Sequence, residues 1–210
     1  MKKIFIIVFL SCVHWTITNT LAQNSNYFGV KGGYLLNGSI QLYEGYIDIG
    51  PSPEFGLVIG REFGNAAMEF EYTFAASSEL EYFGNPYYNT DYQRSDLTIH
   101  IFQLNRAVQY FAENDLRPYS IFGLGAIYFD AKDFGSKTFF GVNFGAGAKY
   151  DINDNVRLRF QGRFILPLVF EGGGLFLGID SGGVSPGVSV YSNSPILQGD
   201  FSLGFDYRFQ

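Results

Sequence analysis

Two glutamates two residues apart, Glu69 and Glu71, and the alternating cations Arg157, Arg159 and Arg163 are the residues whose types and spacing most suggest chemistry. A spacing of two places the members of each set on one face of an extended strand. A pair of carboxylates on one face is the equipment of glycoside hydrolysis. Arginines facing that pair would keep both carboxylates ionised and leave no general acid, so the pattern favours ion pairing over catalysis. His100 is the other candidate, and His14 lies in an N-terminal leader. One histidine cannot build a multi-histidine metal site. It could act as the base of a serine hydrolase, but its neighbours along the strand face are Thr98 and Phe102, with no serine two residues away. Gly172, Gly173 and Gly174 lack the lysine and the strand–helix context of a phosphate loop and are expected to be loop. The sequence therefore implies no catalytic residue, no metal site and no cofactor, and the chain is expected not to be an enzyme.

The elements that would position these side chains begin after the leader. Lys2 and Lys3 precede an apolar run over residues 4–10, and Thr20-Leu21-Ala22 supplies small residues at the two positions a signal peptidase reads. The pattern is that of a secretory signal peptide covering residues 1–22. The run is too short for a membrane anchor, and the residues before Cys12 match an acylation site poorly. One domain over residues 23–210 remains, with 12 basic and 20 acidic residues, a net charge near −8. Cys12 is the only cysteine, so disulfides, a thiol nucleophile and cysteine-based metal sites are not expected in the mature chain. The acidic balance argues against nucleic acid as a partner.

The chain holds 23 phenylalanines and 15 tyrosines, 19% aromatic with tryptophan, and 26 glycines. No window after residue 22 resembles a transmembrane helix. The clearest alternation is at the C-terminus. Leu197, Gly199, Phe201, Leu203, Phe205, Tyr207 and Phe209 share one face, and Gln198, Asp200, Ser202, Gly204, Asp206 and Arg208 the other. Seven further strands are expected near residues 27–36, 54–62, 68–74, 96–110, 118–129, 138–152 and 156–164. In the fourth, Leu97, Ile99 and Ile101 alternate with Thr98, His100 and Phe102, and the phase blurs after Phe102, as a bulge would cause. In the fifth, Phe122, Leu124, Ala126 and Tyr128 are expected outward, with Gly123 and Gly125 inward. Long loops are expected at residues 37–52, 77–95 and 168–194, and short links after the second, fourth and sixth strands. Eight strands with long loops at one end and short turns at the other describe an all-β, eight-stranded antiparallel up-and-down transmembrane β-barrel.

In such a ring the polar faces fill the lumen. Glu62, Glu69 and Glu71 come from the second and third strands, Lys149, Arg157, Arg159 and Arg163 from the sixth and seventh, roughly opposite. Lys31, Asp200, Asp206 and Arg208 join from the first and eighth. The expected product is a structural charge network, because buried charges must be paired and hydrogen-bonded. An ion path or a ligand cradle is the functional alternative. Tyr27, Tyr34, Tyr72, Tyr128, Tyr150 and Tyr207 lie near strand ends, where interfacial girdles form. His100 is expected in the lumen or at its rim. Tyr82, Tyr87, Tyr88 and Tyr92, set among Asn, Asp and Gly in the 77–95 loop, suit an adhesive surface or packing between loops.

The glycine-spaced opening from Tyr27 to Tyr34, the passage Arg117-Pro118-Tyr119 into Phe122-Gly123-Leu124-Gly125, and Tyr207-Arg208-Phe209 at the end resemble the small outer-membrane β-barrel proteins of Gram-negative bacteria, which include the OmpA membrane domain and OmpX-like proteins. The resemblance implies residence in the outer membrane among lipid and lipopolysaccharide. It also implies insertion by the barrel-assembly machinery, which would read Tyr207 and Phe209 in the last strand, here followed by Gln210. Members serve as structural anchors, adhesins, immune-evasion proteins, narrow channels or, rarely, enzymes. The expectation for this chain is a monomeric barrel with a structural or adhesin-like role and a possible extracellular ligand at its three long loops. A narrow channel or small-ligand barrel is the alternative, and a lipid hydrolase a more distant one.

Overall fold

The structure, a computed structural model, describes residues 25–42, 45–84, 92–111, 114–168, 170–180, 183–192 and 198–209. The signal segment, Leu197 and the loop tyrosines Tyr87 and Tyr88 lie outside these residues. Among the described residues the chain forms strands β1 (Asn26–Leu35), β2 (Gly38–Leu42), β3 (Gly45–Ile49), β4 (Ser52–Phe63), β5 (Ala66–Gly84), β6 (Gln93–Gln109), β7 (Leu116–Ala131), β8 (Gly135–Asp151), β9 (Val156–Leu168), β10 (Phe170–Asp180), β11 (Gly183–Ser192) and β12 (Gln198–Phe209).

Eight of these strands close a ring in the order β1, β4, β5, β6, β7, β8, β9, β12, and each neighbouring pair is antiparallel. Its stagger follows from the register. Paired residues lead from Asn26 through Arg61, Met68, Arg106, Phe122, Phe144, Phe164 and Gly199, and Gly199 accepts the Leu36 amide hydrogen bond. The walk thus returns to β1 ten residues beyond its start. With about 3.3 Å per residue and about 4.8 Å between strands, a shear of ten over eight strands tilts the staves by about 40°. Closure leaves the ring no unpaired edge.

The short-turn end is made by local chemistry. Phe63 pairs with Ala66 across the two-residue link Gly64-Asn65, and Gly64 takes φ 65°, the positive value such a hairpin demands at its first central position. Asn153 caps the link between β8 and β9, its side-chain oxygen accepting from the Asn155 and Val156 amides.

The other end differs from the expected long loops. Residues 37–52 contain the hairpin β2–β3, and β3 pairs with the upper part of β5. Much of the 77–95 segment continues β5 and β6 as paired strands, with Glu81 opposite Arg94 and Tyr82 opposite Gln93. Within 168–194, β10 and β11 form a separate two-stranded sheet. Backbone pairing satisfies amides that an irregular loop would leave to water, so polar, glycine-bearing composition did not preclude strands here.

The wall is apolar outward. Phe55, Ile59, Phe122, Phe160, Phe201 and Tyr207 are each more than half exposed, while Glu69, Arg157, Lys149 and Asn105 have essentially no exposed surface. This inverts the arrangement of a water-soluble domain and suits a surface facing hydrocarbon. The expected facing of β7 is found: Phe122 and Leu124 point out, and Gly123 points in against Asn105 and Asn143.

One expectation about phase is corrected. β6 carries no bulge after Phe102, since its pairing with β7 runs unbroken from Leu97 opposite Ala131 to Gln109 opposite Tyr119. The irregularity lies on β5, between Ala75 and Ser78. On β6 the inward positions are Leu97, Ile99, Ile101, Gln103, Asn105, Ala107 and Gln109, all buried. The phase is constant; the inward face itself changes from apolar to polar.

Candidate functional site

The lumen is the site, and it has two tiers. Nearest the short turns, Arg157 donates to Glu62 at 2.5 Å and to Asp206 at 3.0 Å, and Gln109 donates to Glu62 at 2.9 Å. One step further in, Arg159 makes a fork to Glu69, with distances of 2.8 and 3.0 Å, and also reaches Asp206 at 2.9 Å. Lys149 adds a third cation, 3.0 Å from Glu69. β4, β5 and β12 supply the carboxylates and β8 and β9 the cations, so this cross-bracing ties staves far apart in sequence.

Two tyrosines line the same level. Tyr27 donates to Glu69, and Tyr119 donates to Gln161 at 2.7 Å. Their rings enclose the Lys149 ammonium, at 5.1 Å and 5.0 Å from the two centroids. Each tyrosine has space because a glycine faces it. A Cβ on Gly60 would collide with the Tyr27 ring, and one on Gly147 would meet Tyr119 at 2.6 Å.

Above this level Lys31 is 2.8 Å from Glu71, 3.3 Å from Glu54 and 3.7 Å from Asp200. Arg163 pairs with Asp200, reaches Glu71 at 2.6 Å and donates to Gln103 at 2.8 Å. Asn105 donates to Glu71 and accepts from Asn143 at 2.8 Å. Nearer the short turns three carboxylates (Glu62, Glu69, Asp206) meet three cations (Lys149, Arg157, Arg159); at this upper level three (Glu54, Glu71, Asp200) meet two (Lys31, Arg163).

Towards the hairpin end the chemistry changes. Leu35, Ile49, Ala75, Leu97, Ile99, Ile101, Ile127, Phe129, Ala131 and Ile165 form one buried apolar cluster, with Ile47, Leu80 and Phe139 packed against it. These side chains come from β1, β3, β5, β6, β7, β8 and β9, so the cluster spans the upper lumen from several sides. At the opposite mouth Arg117 pairs with Asp151, and Arg208 lies 3.2 Å from the same carboxylate.

The structure brings Lys31, Glu62, Glu69, Glu71, Lys149, Arg157, Arg159, Arg163, Asp200 and Asp206 into the lumen, and leaves Arg208 at the mouth. Several lumen partners lie outside the set that the charge pattern points to. Glu54 and Tyr27 share strand parity with Glu62 and Lys31, and that parity was a usable signal. Gln103, Asn105 and Gln109 would have followed from continuing the β6 alternation through Phe102. Tyr27 is a correction, since it sits in the lumen and not in a girdle; Tyr34, Tyr150 and Tyr207 are exposed on the outer face. Tyr207 and Phe209 both point outward.

His100 is a further correction. It faces outward, half-buried, with its Nδ1 2.9 Å from the Tyr72 hydroxyl and the rings of Phe74 and Tyr128 beside it at 5.2 and 5.9 Å. In this setting the imidazole's bonded partner is a phenol, where a serine hydrolase would need a serine hydroxyl. Among the described residues no group of three or more His, Cys, Asp or Glu is arranged to hold a metal ion.

A closed eight-stranded wall, apolar outside and charged within, defines a transmembrane β-barrel. Residues 5–209 match the family described as the outer membrane protein beta-barrel domain, and the chain belongs to that family, whose members reside in the outer membrane. Among solved structures it is similar to Neisserial surface protein A (14% identity, TM-score 0.55, covering 90% of this chain and 100% of that one). It is also similar to OprG from Pseudomonas aeruginosa (14%, 0.55, 91% and 100%) and to a major outer membrane protein from Thermus thermophilus (13%, 0.58, 90% and 100%). At these identities the likeness is one of fold. No curated protein matches the chain by sequence.

Proposed function

We propose that this protein is a closed, non-enzymatic outer-membrane barrel that anchors its hairpin end at the cell surface for structural or interaction purposes. The observation that carries the reading is the two-tier lumen. An ion entering from the short-turn end would have to displace paired charges, and then cross a layer built of Leu35, Ile99, Ile101, Ile127 and Ile165. Moving a bare charge through such a layer, without compensating hydrogen bonds, is strongly unfavourable. The charged tier braces the wall and holds its register. The outward Tyr207 and Phe209 on the closing strand serve the barrel-assembly machinery, lipopolysaccharide surrounds the upper belt, and β2–β3, the β5–β6 extension and β10–β11 form the surface that partners meet.

Planar-bilayer recording of the purified barrel tests this directly. The expected result is no steady conductance; a stable, ion-dependent current would establish the narrow-channel alternative. Incubation with phospholipid and lipid A should release no fatty acid, and a release that disappears in His100→Ala would establish the hydrolase alternative.

A further inference from the structure

Beyond the barrel proper, β3, β5 and β6 continue as a three-stranded sheet whose outer face is organised in rows. Tyr46 lies opposite Phe83, and Phe83 packs on Tyr92. In the next row Asp48 is opposite Glu81, and Glu81 is opposite Arg94. Glu79 and Asp96 follow. The alternate residues Ile49, Leu80 and Ser95 turn the other way, into the interior. The Tyr46 and Phe83 rings are stacked at 4.5 Å and 10°, and Phe83 and Tyr92 meet at 5.1 Å and 52°. Tyr92 donates to Glu81 at 2.7 Å, and Arg94 pairs with Glu79. Tyr46 and Tyr92 are exposed.

This row of rings does not belong to an interfacial girdle. On β6 the outer face passes from Leu104 and Phe102 through His100 to Thr98, Asp96 and Arg94, and Tyr92 is eight residues beyond His100. At about 3.3 Å per residue and a stave tilt of about 40°, that distance is roughly 20 Å further from the hydrocarbon.

Charge and spacing together say what fits. Among the described residues of these three strands, four carboxylates (Asp48, Glu79, Glu81, Asp96) share the face with one guanidinium, Arg94, and the exposed Lys132 lies next to Asp96, its amide donating to the Asp96 carbonyl; the remaining acidic excess repels anionic partners and attracts cationic ones. Same-face rows on a sheet are about 7 Å apart, so one side chain can span the ring row and the acid row. Arginine is the side chain suited to both, because its planar guanidinium stacks on aromatic faces and donates in a fork to carboxylates. Arg94 already pairs with a carboxylate, Glu79, within the same face.

We propose that this face is a docking surface for an extended, arginine-bearing segment of another protein, with guanidinium groups stacked on Tyr46, Phe83 and Tyr92 and paired with Asp48 and Glu81. The inference rests on the reading of the hairpin end as an interaction surface, and it names the partner's chemistry.

The test uses the full barrel in phosphatidylcholine nanodiscs and titrates, by calorimetry, a peptide of alternating arginine and serine, with lysine–serine and glutamate–serine peptides beside it. The arginine peptide should bind, the lysine peptide at least about threefold more weakly, and the glutamate peptide not at all. Tyr46→Ile with Phe83→Ile keeps strand propensity and all charges, and should weaken binding about tenfold. Asp48→Asn with Glu81→Gln should do the same, whereas Asp154→Asn in the short turn at the far end should change nothing. A heat-modifiable gel shift confirms that each variant is a folded barrel.

Equal binding of the arginine and lysine peptides, unaltered in the ring variant, would overturn the proposal, as would saturable binding of maltoheptaose with none of the arginine peptide. Conductance on the same preparation judges the closed-barrel reading separately, since either result can fail while the other stands.

Discussion

At the short-turn end, the space between staves is filled by Lys149, Arg157 and Arg159 laced to Glu62, Glu69 and Asp206. At the hairpin end the same inward positions of the wall carry Ile99, Ile101, Ile127 and Ile165. Outside, the belt changes little between these levels, with Phe160 and Phe205 near one and Phe102 and Phe140 near the other. The two fillings hold the wall by different means. The apolar tier is non-directional and asks only for volume. The charged tier is directional, and each carboxylate depends on named donors from distant staves. Removing one group from the charged tier strands its partners; removing one from the apolar tier leaves a hole.

That contrast can be broken by substitution. The largest effect is expected from Arg159→Met, which leaves Glu69 and Asp206 short of their shared donor in a buried setting. The loss should be about 3–5 kcal/mol, measured by urea unfolding of the barrel in lipid vesicles with heat-modified mobility as the readout. Ile101→Ala in the upper tier should cost about 2–4 kcal/mol by the same assay, as a cavity does. A cost above that of Arg159→Met would mean that partner loss is not what distinguishes the tiers.

Tyr27→Phe sharpens the comparison inside the charged tier. It removes one hydroxyl donor from Glu69 while leaving Arg159 and Lys149 in place, and should cost about 1.5–3 kcal/mol. The smallest effect is expected from Arg208→Ala at the mouth, where water reaches the pair with Asp151 and the loss should be below about 1 kcal/mol. A large loss there would mean that the network extends as a unit beyond the lumen.

Much of the wall was legible because period two sorts residues into faces without any knowledge of partners. Phe201, Leu203 and Phe205 against Ser202, Gly204 and Asp206 is such a case, and Arg157, Arg159 and Arg163 were legible as co-facing cations for the same reason. β6 was harder. Over residues 97–101 Leu97, Ile99 and Ile101 alternate with Thr98 and His100, but beyond them Phe102 and Leu104 continue the Thr98–His100 face and Gln103 the isoleucine face, so alternation alone does not say which face looks inward. That ambiguity puts His100 on the wrong side when the sequence is read alone, and the unneeded bulge has the same origin. The hairpins β2–β3 and β10–β11 read as loops in the sequence because glycine and asparagine are poor strand formers on average, although pairing with a neighbour outweighs that tendency.

By itself, the sequence determined the all-β class, the eight staves with alternating short and long links, and the existence of one charged and one aromatic face. These depend on local spacing, which every residue carries with it. Only the tertiary structure decided that Arg159 answers to both Glu69 and Asp206, that Tyr27 and Tyr119 enclose Lys149, and that the lumen turns apolar above Gln103. Those facts depend on the ten-residue stagger with which the ring closes. It sets which inward residues of different staves share a level, and no stretch of chain shorter than the whole ring contains it.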